Sequence, residues 1–190
     1  MSPILLAYSG GRASSVALHG LVETHGASVV TLTLDVGQGA DLAELRERAL
    51  SGGAVRAHAI DAREELARDV VLPLVGGGAL GGSGYPDIEA LARPLMASKL
   101  VEVARIEGAR VVAHGSAGAE IDDAIHALDP DLTVLAPVRG WPSGGSPAGH
   151  ARRRGLTPRR QAGRECRVEQ NLWGRTVSWR DGDLAPDEAR

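Results

Sequence analysis

Leu5-Leu6-Ala7-Tyr8-Ser9-Gly10-Gly11-Arg12-Ala13-Ser14-Ser15-Val16 decides how the chain is read. An apolar run enters a Ser-Gly-Gly turn and leaves it in a helical pattern. That is the order of a strand, a glycine turn and a helix start. Backbone N–H groups in such a turn point outward, and the helix N-terminus adds roughly half a positive charge. Glycine lets the backbone approach a bound group with no Cβ in the way. Two readings fit these residues: an anion cradle, for phosphate or pyrophosphate, or an ordinary strand-to-helix turn that contains two glycines.

The alternation repeats downstream. Pro3–Tyr8 reads as the first strand and Ser14–Thr24 as the first helix, with Val16, Ala17 and Leu21 on one face. Ser28–Leu34 is a β-branched strand ending at Asp35. A Gly37-Gln38-Gly39 turn leads to a helix over Asp41–Leu50, with Leu42, Leu45 and Ala49 at helical spacing. Ala54–Ile60 is the third strand and Arg63–Leu74 the next helix. Val75–Gly84 holds six glycines, the composition of a mobile loop. A helix runs through Pro94 to Glu107, and Arg110–His114 and Leu132–Leu135 are the fourth and fifth strands.

Strands separated by helices predict βαβ units, a parallel sheet and right-handed crossovers. Ligands of such sheets bind beyond the carboxyl ends of the strands, near a topological switch point. Here those ends carry Tyr8-Ser9-Gly10-Gly11, Asp35-Val36-Gly37-Gln38, Asp61-Ala62-Arg63 and His114-Gly115-Ser116. That placement favours the anion cradle over the ordinary turn.

At 190 residues the chain suits one α/β domain with a short appendage. We divide it into an α/β domain over 1–140 and a stretch over 141–190. The second stretch reads as a linker, a short helix near His150–Arg154 and a tail that packs on the domain. Phe is absent, so Val, Leu, Ile and Ala must build the core. A net charge of −3 gives no footprint for general nucleic-acid binding. The exception is local: Arg152, Arg153, Arg154, Arg159, Arg160, Arg164 and Arg167 crowd one stretch, read as a solvated basic segment or a docking site for an acidic partner. Cys166 is the only cysteine, so no intrachain disulfide forms, and its arginine-rich surroundings show no clear element. With no long apolar run or leader pattern, the expectation is a cytoplasmic chain without membrane contact.

Six motifs now stand in order: Ala7-Tyr8-Ser9-Gly10-Gly11, Asp35-Val36-Gly37-Gln38, Asp61-Ala62-Arg63-Glu64-Glu65, Ala90-Leu91-Ala92-Arg93-Pro94-Leu95, Ala113-His114-Gly115 and Asn171-Leu172-Trp173-Gly174-Arg175. This order resembles argininosuccinate synthase over residues 4–177, in its N-terminal nucleotide-binding domain of the PP-loop, or N-type ATP pyrophosphatase, group. The resemblance implies a five-stranded parallel sheet with helices on both faces, Rossmann-like, of the adenine nucleotide alpha-hydrolase type. It implies ATP as ligand, with pyrophosphate on Ser9-Gly10-Gly11 and a divalent ion, Mg²⁺, offsetting phosphate charge. In that family the ureido oxygen of citrulline is adenylated and aspartate then displaces AMP. The residues it points to for ATP are Ala7, Tyr8, Ser9, Gly10, Gly11, Ser14, Ser15, Asp35, Gly37, Gln38, His114 and Gly115. For a substrate it points to Tyr85, Arg93 and Ser116. No metal-ligating set and no catalytic residue is assigned.

Three departures bear on activity. The family loop reads Ser-Gly-Gly-x-Asp, and here the Asp position is Ala13. The long family loop after His-Gly carries both amino-acid contacts, whereas Ser116-Ala117-Gly118-Ala119-Glu120-Ile121-Asp122-Asp123 runs straight into a helix. The family also continues into a synthetase domain that the expected architecture lacks. Several kept residues have a plainer alternative. Tyr85-Pro86 could be only a turn, and Ile88-Glu89 replaces the family's Ser-Thr. Arg93-Pro94 could simply open a helix. His114 could be a hydrogen-bonded structural residue, and Trp173 packs the tail onto the core rather than meeting a substrate. Asp35 is the better functional choice because a carboxylate there faces the crevice.

Two functions follow. One is an ATP pyrophosphatase or adenylating ligase of argininosuccinate synthase type, with altered or lost citrulline and aspartate specificity and an unknown small-molecule substrate. The other is a non-catalytic nucleotide-binding module acting with a second protein. A degenerate fold with no ligand is a third possibility.

Overall fold

The computed structural model describes residues 2–25, 28–77, 88–116, 118–140 and 166–179. β1 (Ile4–Ala7) lies between β2 (Val29–Asp35) and β4 (Val111–Ala113), with β3 (Arg56–Asp61) and β5 (Thr133–Leu135) at the edges, giving the order β3-β2-β1-β4-β5. Every pairing in this sheet is parallel, with Ile4 opposite both Val29 and Val111, Val30 opposite Arg56 and Val111 opposite Thr133. The α-helices of the described residues are α1 (Arg12–His25), α2 (Leu42–Ser51), α3 (Arg63–Leu66), α4 (Leu72–Gly76), α5 (Ile88–Glu107) and α6 (Glu120–Leu128).

Strand alternation sorts the core into two layers. Leu5, Val30, Leu32 and Val112 pack with Ala97, Leu100, Val101 and Ala104 of α5 and with Ile121 and Ile125 of α6. Ile4, Leu6, Tyr8 and Val29 pack on the opposite face with Ala17, Leu18 and Leu21 of α1 and Ala49 of α2. The expected parallel sheet with a helical layer on each face is what forms. Covering both faces explains why the central strands read as apolar runs rather than as alternating ones.

The sequence pattern misplaces three details. The helix expected over Arg63–Leu74 is not uniform: Ala67–Val71 is π-helical, and Leu72 donates its N–H to the Ala67 carbonyl, five residues back. Pro73 follows at once and has no N–H for the regular ladder, so the helix widens before it. The alternative in which Arg93-Pro94 merely opens a helix is overturned, because α5 already begins at Ile88 and holds Pro94 inside it. Cys166 does lie in a defined element. It starts β6 (Cys166–Gln170), which pairs antiparallel with β7 (Arg175–Trp179), Gln170 opposite Arg175. Asn171 shapes the turn between them, its Oδ1 accepting from the N–H of Trp173 at 2.8 Å and of Gly174 at 3.3 Å. The glycines from Gly78 to Gly84, Tyr85, the short helix at His150–Arg154 and most of the arginine-rich stretch lie outside the described residues.

Candidate functional site

From β1 the chain builds outward to β2 and β3, then returns to add β4 and β5 on the other side. The strand order therefore reverses between β1 and β4, and the loops leaving those two strands flank the crevice.

Ser14 organises the first loop from within. Its buried Oγ accepts from the Ser9 N–H at 3.3 Å, lies 3.2 Å from Ser9 Oγ and donates to the Gly11 carbonyl at 3.2 Å. Ser15 N donates to the same Gly11 carbonyl at 3.0 Å, the first rung of α1. The N–H groups of Arg12, Ala13 and Ser14 precede that rung and have no intrahelical acceptor. Tyr8 is buried below, with its carbonyl held by Thr33 Oγ1 at 2.8 Å and its hydroxyl 3.4 Å from Ser15 Oγ. Ala7 is the last residue of β1, directly under the turn. Gly10 has φ +69°, and a Cβ there would run into Leu45 Cδ2. Arg48 reaches across from α2 and donates to the Gly10 carbonyl at 3.3 Å. The sequence pattern gave no reason to single out this residue, because its partner lies 38 positions away. It brings a half-buried positive charge to the edge of the turn.

The β2 loop uses its polar side chains on its own backbone. Asp35 Oδ1 accepts from the Gly37 N–H at 2.8 Å, and Arg63 Nε lies 3.6 Å from its Oδ2. Gln38 accepts from the Val36 N–H at 2.7 Å through Oε1 and donates from Nε2 to the Leu34 carbonyl at 2.6 Å. These groups set the shape of the loop; their side-chain atoms are not free toward the crevice. Arg63 grips Asp61 with Nε at 2.8 Å and Nη2 at 2.5 Å, holding that carboxyl near a pKa of about 2. Gly37, at φ +95°, carries the hairpin turn. The Leu172 N–H donates to the Val36 carbonyl at 2.7 Å, and a Cβ on Gly37 would stand 2.6 Å from that same Leu172 nitrogen. It is thus Leu172 whose contact with this loop the structure shows; Trp173 is half-buried in the turn.

The β4 loop closes the other side. His114 is 3% exposed. Its Nδ1 accepts from the Ser116 N–H at 3.1 Å and its Nε2 lies 2.7 Å from Asp122 Oδ1. Burial pushes its pKa below the usual histidine value, against the opposing pull of Asp122. Arg139 clasps Asp122 with Nη1 at 2.7 Å and Nη2 at 2.8 Å, and also donates to the Gly118 carbonyl. This clasp, then His114, lowers the Asp122 carboxyl to about 2. Gly115 rests on the first turn of α1: a Cβ there would lie 3.3 Å from Ala13 Cβ and 3.4 Å from the Ser14 nitrogen. Ser116 is exposed and joins the site through its backbone. Arg93 is half-buried on α5, next to Ala92, which packs with Ala62 and Leu66 under the β3 loop. Asp122, Arg139 and Arg48 escaped the sequence reading. Among the described residues no group of His, Cys, Asp and Glu could hold a metal ion, and no helix is long and apolar enough to cross a membrane.

A parallel sheet with a glycine turn and a helix N-terminus at its switch point defines a Rossmann-like α/β domain of the HUP class. Residues 3–154 match the family described as the arginosuccinate synthase N-terminal HUP domain, and the chain belongs to the argininosuccinate synthase family. Argininosuccinate synthase of Listeria welshimeri is 44% identical over 179 residues, 91% of this chain and 44% of that one. That of Rubrobacter xylanophilus is 44% identical over 180 residues, 92% of this chain and 44% of that one, and that of Geobacillus thermodenitrificans is 41% identical over 179 residues. The chain thus spans less than half the length of the relatives it matches. Among solved structures, a predicted tRNA methyltransferase subunit of Methanocaldococcus jannaschii superimposes with a TM-score of 0.52 at 13% identity, over 76% of this chain and 72% of that one, and shows the fold alone.

Proposed function

We propose that the chain binds ATP, with the phosphates on the Ser9-Gly10-Gly11 turn, as an adenylating domain of argininosuccinate synthase type. The observation that carries this reading is the turn itself. Ser14 braces it from below, the first N–H groups of α1 have no intrahelical acceptor, and Gly115 faces them without a side chain. Backbone donors and a helix dipole favour an anion there, and the Arg48 guanidinium adds charge at the edge. ATP would supply the adenylyl group that activates an oxygen of the acceptor and leave pyrophosphate behind. The chain's part is to hold the phosphate end in place. Mg²⁺ would arrive with the nucleotide, because Ala13 offers no carboxylate and Asp35 is engaged by Gly37 and Arg63. The reading puts the chain in the cytoplasm, with a small-molecule acceptor other than, or in addition to, citrulline.

One observation favours a second reading, a nucleotide-binding module without turnover that works with a partner protein. Asp122, in the first turn of α6 where the family instead has the loop of its amino-acid contacts, is held by His114 and Arg139 of this same chain. Titration calorimetry with ATP, with and without Mg²⁺, tests the shared core of both readings. A Kd near micromolar, about −8 kcal/mol, is expected. No heat together with an unchanged Tm overturns both. Release of pyrophosphate on adding candidate ureido or carboxylate acceptors then separates the first reading from the second.

A further inference from the structure

We propose that Asp122 and Arg139 are positioning residues that lock His114 in its Nε2–H tautomer and so seat Gly115 and Ser116 against the start of α1. The proposal rests on the nucleotide reading only for its consequence on binding; the lock itself is a statement about this chain alone.

The Ser116 backbone N–H can only donate, and its nitrogen lies 3.1 Å from His114 Nδ1. Nδ1 must therefore carry the lone pair, and the proton of the neutral ring sits on Nε2. Nε2 faces Asp122 Oδ1 at 2.7 Å, an acceptor suited to that proton. A free carboxylate on a helix could swing away, but this one cannot. Arg139 holds both of its oxygens, at 2.7 and 2.8 Å, and ties itself to the Gly118 carbonyl at the head of the same helix. Arg139 comes from the 3₁₀ turn Pro137–Gly140, which packs against α1. The three side chains thus link β4, α6 and the segment after β5 into one strut.

Its far end is the crevice. With Nδ1 fixed as acceptor, Ser116 folds back over the ring, and Gly115 between them comes so near α1 that a Cβ on it would touch Ala13 and the Ser14 nitrogen. Ser14 is the residue that braces the Ser-Gly-Gly turn. A protonated imidazole, or the Nδ1–H tautomer, would aim an N–H at the Ser116 N–H and push this wall off α1. The strut therefore sets how closely the β4 loop approaches the phosphate turn.

The test uses the whole chain with ¹⁵N-labelled histidine, alone and titrated with Mg-ATP and with inorganic pyrophosphate. His114 is expected to show a protonated Nε2 and an unprotonated Nδ1. In Asp122→Ala that signature is expected to be lost, the backbone amide signals of Ser14 and Gly115 to move, and affinity for both probes to fall by about tenfold, the scale of losing an outer partner of a site group. Asp122→Asn keeps an oxygen facing Nε2 and is expected to restore the tautomer and most of the affinity. A wild-type His114 protonated at Nδ1 overturns the proposal. So does an Asp122→Ala chain with native Ser14 and Gly115 signals. If Asp122→Ala fails to fold, the Asn variant decides: a lost tautomer there overturns the lock, a kept one supports it. A wild type that binds neither probe yet shows the expected tautomer and amide shifts overturns the nucleotide reading and sustains the lock.

Discussion

Ser14 contributes to the site by what it holds, not by what it could touch. Its hydroxyl satisfies the Ser9 N–H and the Gly11 carbonyl at once, so replacing it leaves the Ser9 N–H without a partner and the Gly11 carbonyl with the Ser15 N–H alone. Ser14→Ala is expected to cost about 1–2 kcal/mol of stability in urea titration and to weaken Mg-ATP binding more than its small area suggests. Native affinity in a destabilised Ser14→Ala chain would remove the turn from the site. His114 gives a pH signature. Its folded pKa is depressed by burial below the ordinary 6.5 of the unfolded chain. Between the two values only the unfolded state takes up the proton, so acid favours unfolding; above 6.5 both states are neutral and the residue contributes nothing to the slope. Stability should therefore decline as pH falls below about 6.5. That decline should flatten in His114→Gln, which keeps a donor for Asp122. An identical slope in the variant would assign the effect to other groups. Asp122 acts lower: its stabilisation is present above the ordinary carboxyl value of 3.8 and is lost as pH falls toward about 2.

At the scale of elements, the hairpin of β6 and β7 is a part of the site that length and composition hide. Its turn meets the β2 loop through one backbone hydrogen bond and through the space that Gly37 leaves empty. Gly37→Ala adds a strained positive φ and a clash with the Leu172 nitrogen, 2.6 Å away. We expect a loss of more than about 1 kcal/mol and faster proteolysis within 166–179, with the sheet intact by circular dichroism. A hairpin equally protected in the variant would show that Gly37 is not its seat. The five strands were legible because burial on both faces makes each a short apolar run between turn residues. The hairpin was not, because Cys166–Gln170 alternates small, charged and apolar residues with no long apolar face, and it is seated by a contact with a distant loop, Leu172 on Val36, 136 positions apart. The π-helical stretch was hidden for another reason: helical periodicity over Arg63–Leu74 cannot register a one-residue widening caused by Pro73.

For the molecule as a whole, the candidate site proposed here was legible where backbone makes it and illegible where distant side chains brace it. Ser9, Gly10, Gly11 and Gly115 could be read from their places at strand ends; Arg48, Asp122 and Arg139 could not, since nothing in the sequence pairs them with Gly10 and His114. The open question at this scale is whether the assembled crevice still works with metal-bound nucleotide, and Ala13 is the position that decides it. It lies in the first turn of α1, which carries no acidic residue, beside Gly115. A carboxylate there meets the positive end of the helix, a gain of about 0.3–1 kcal/mol, so Ala13→Asp should fold at least as well as the parent. Toward ligands its two effects oppose each other. It repels bare phosphate, and it offers Mg²⁺ an oxygen that the parent lacks. A working cradle therefore predicts opposite signs in calorimetry: weaker binding of ATP without metal, tighter binding of Mg-ATP. Two unchanged affinities would mean that the phosphates never reach this turn. Weakening of both would mean that the anion binds here while the metal does not, which favours the module without turnover over the adenylating enzyme.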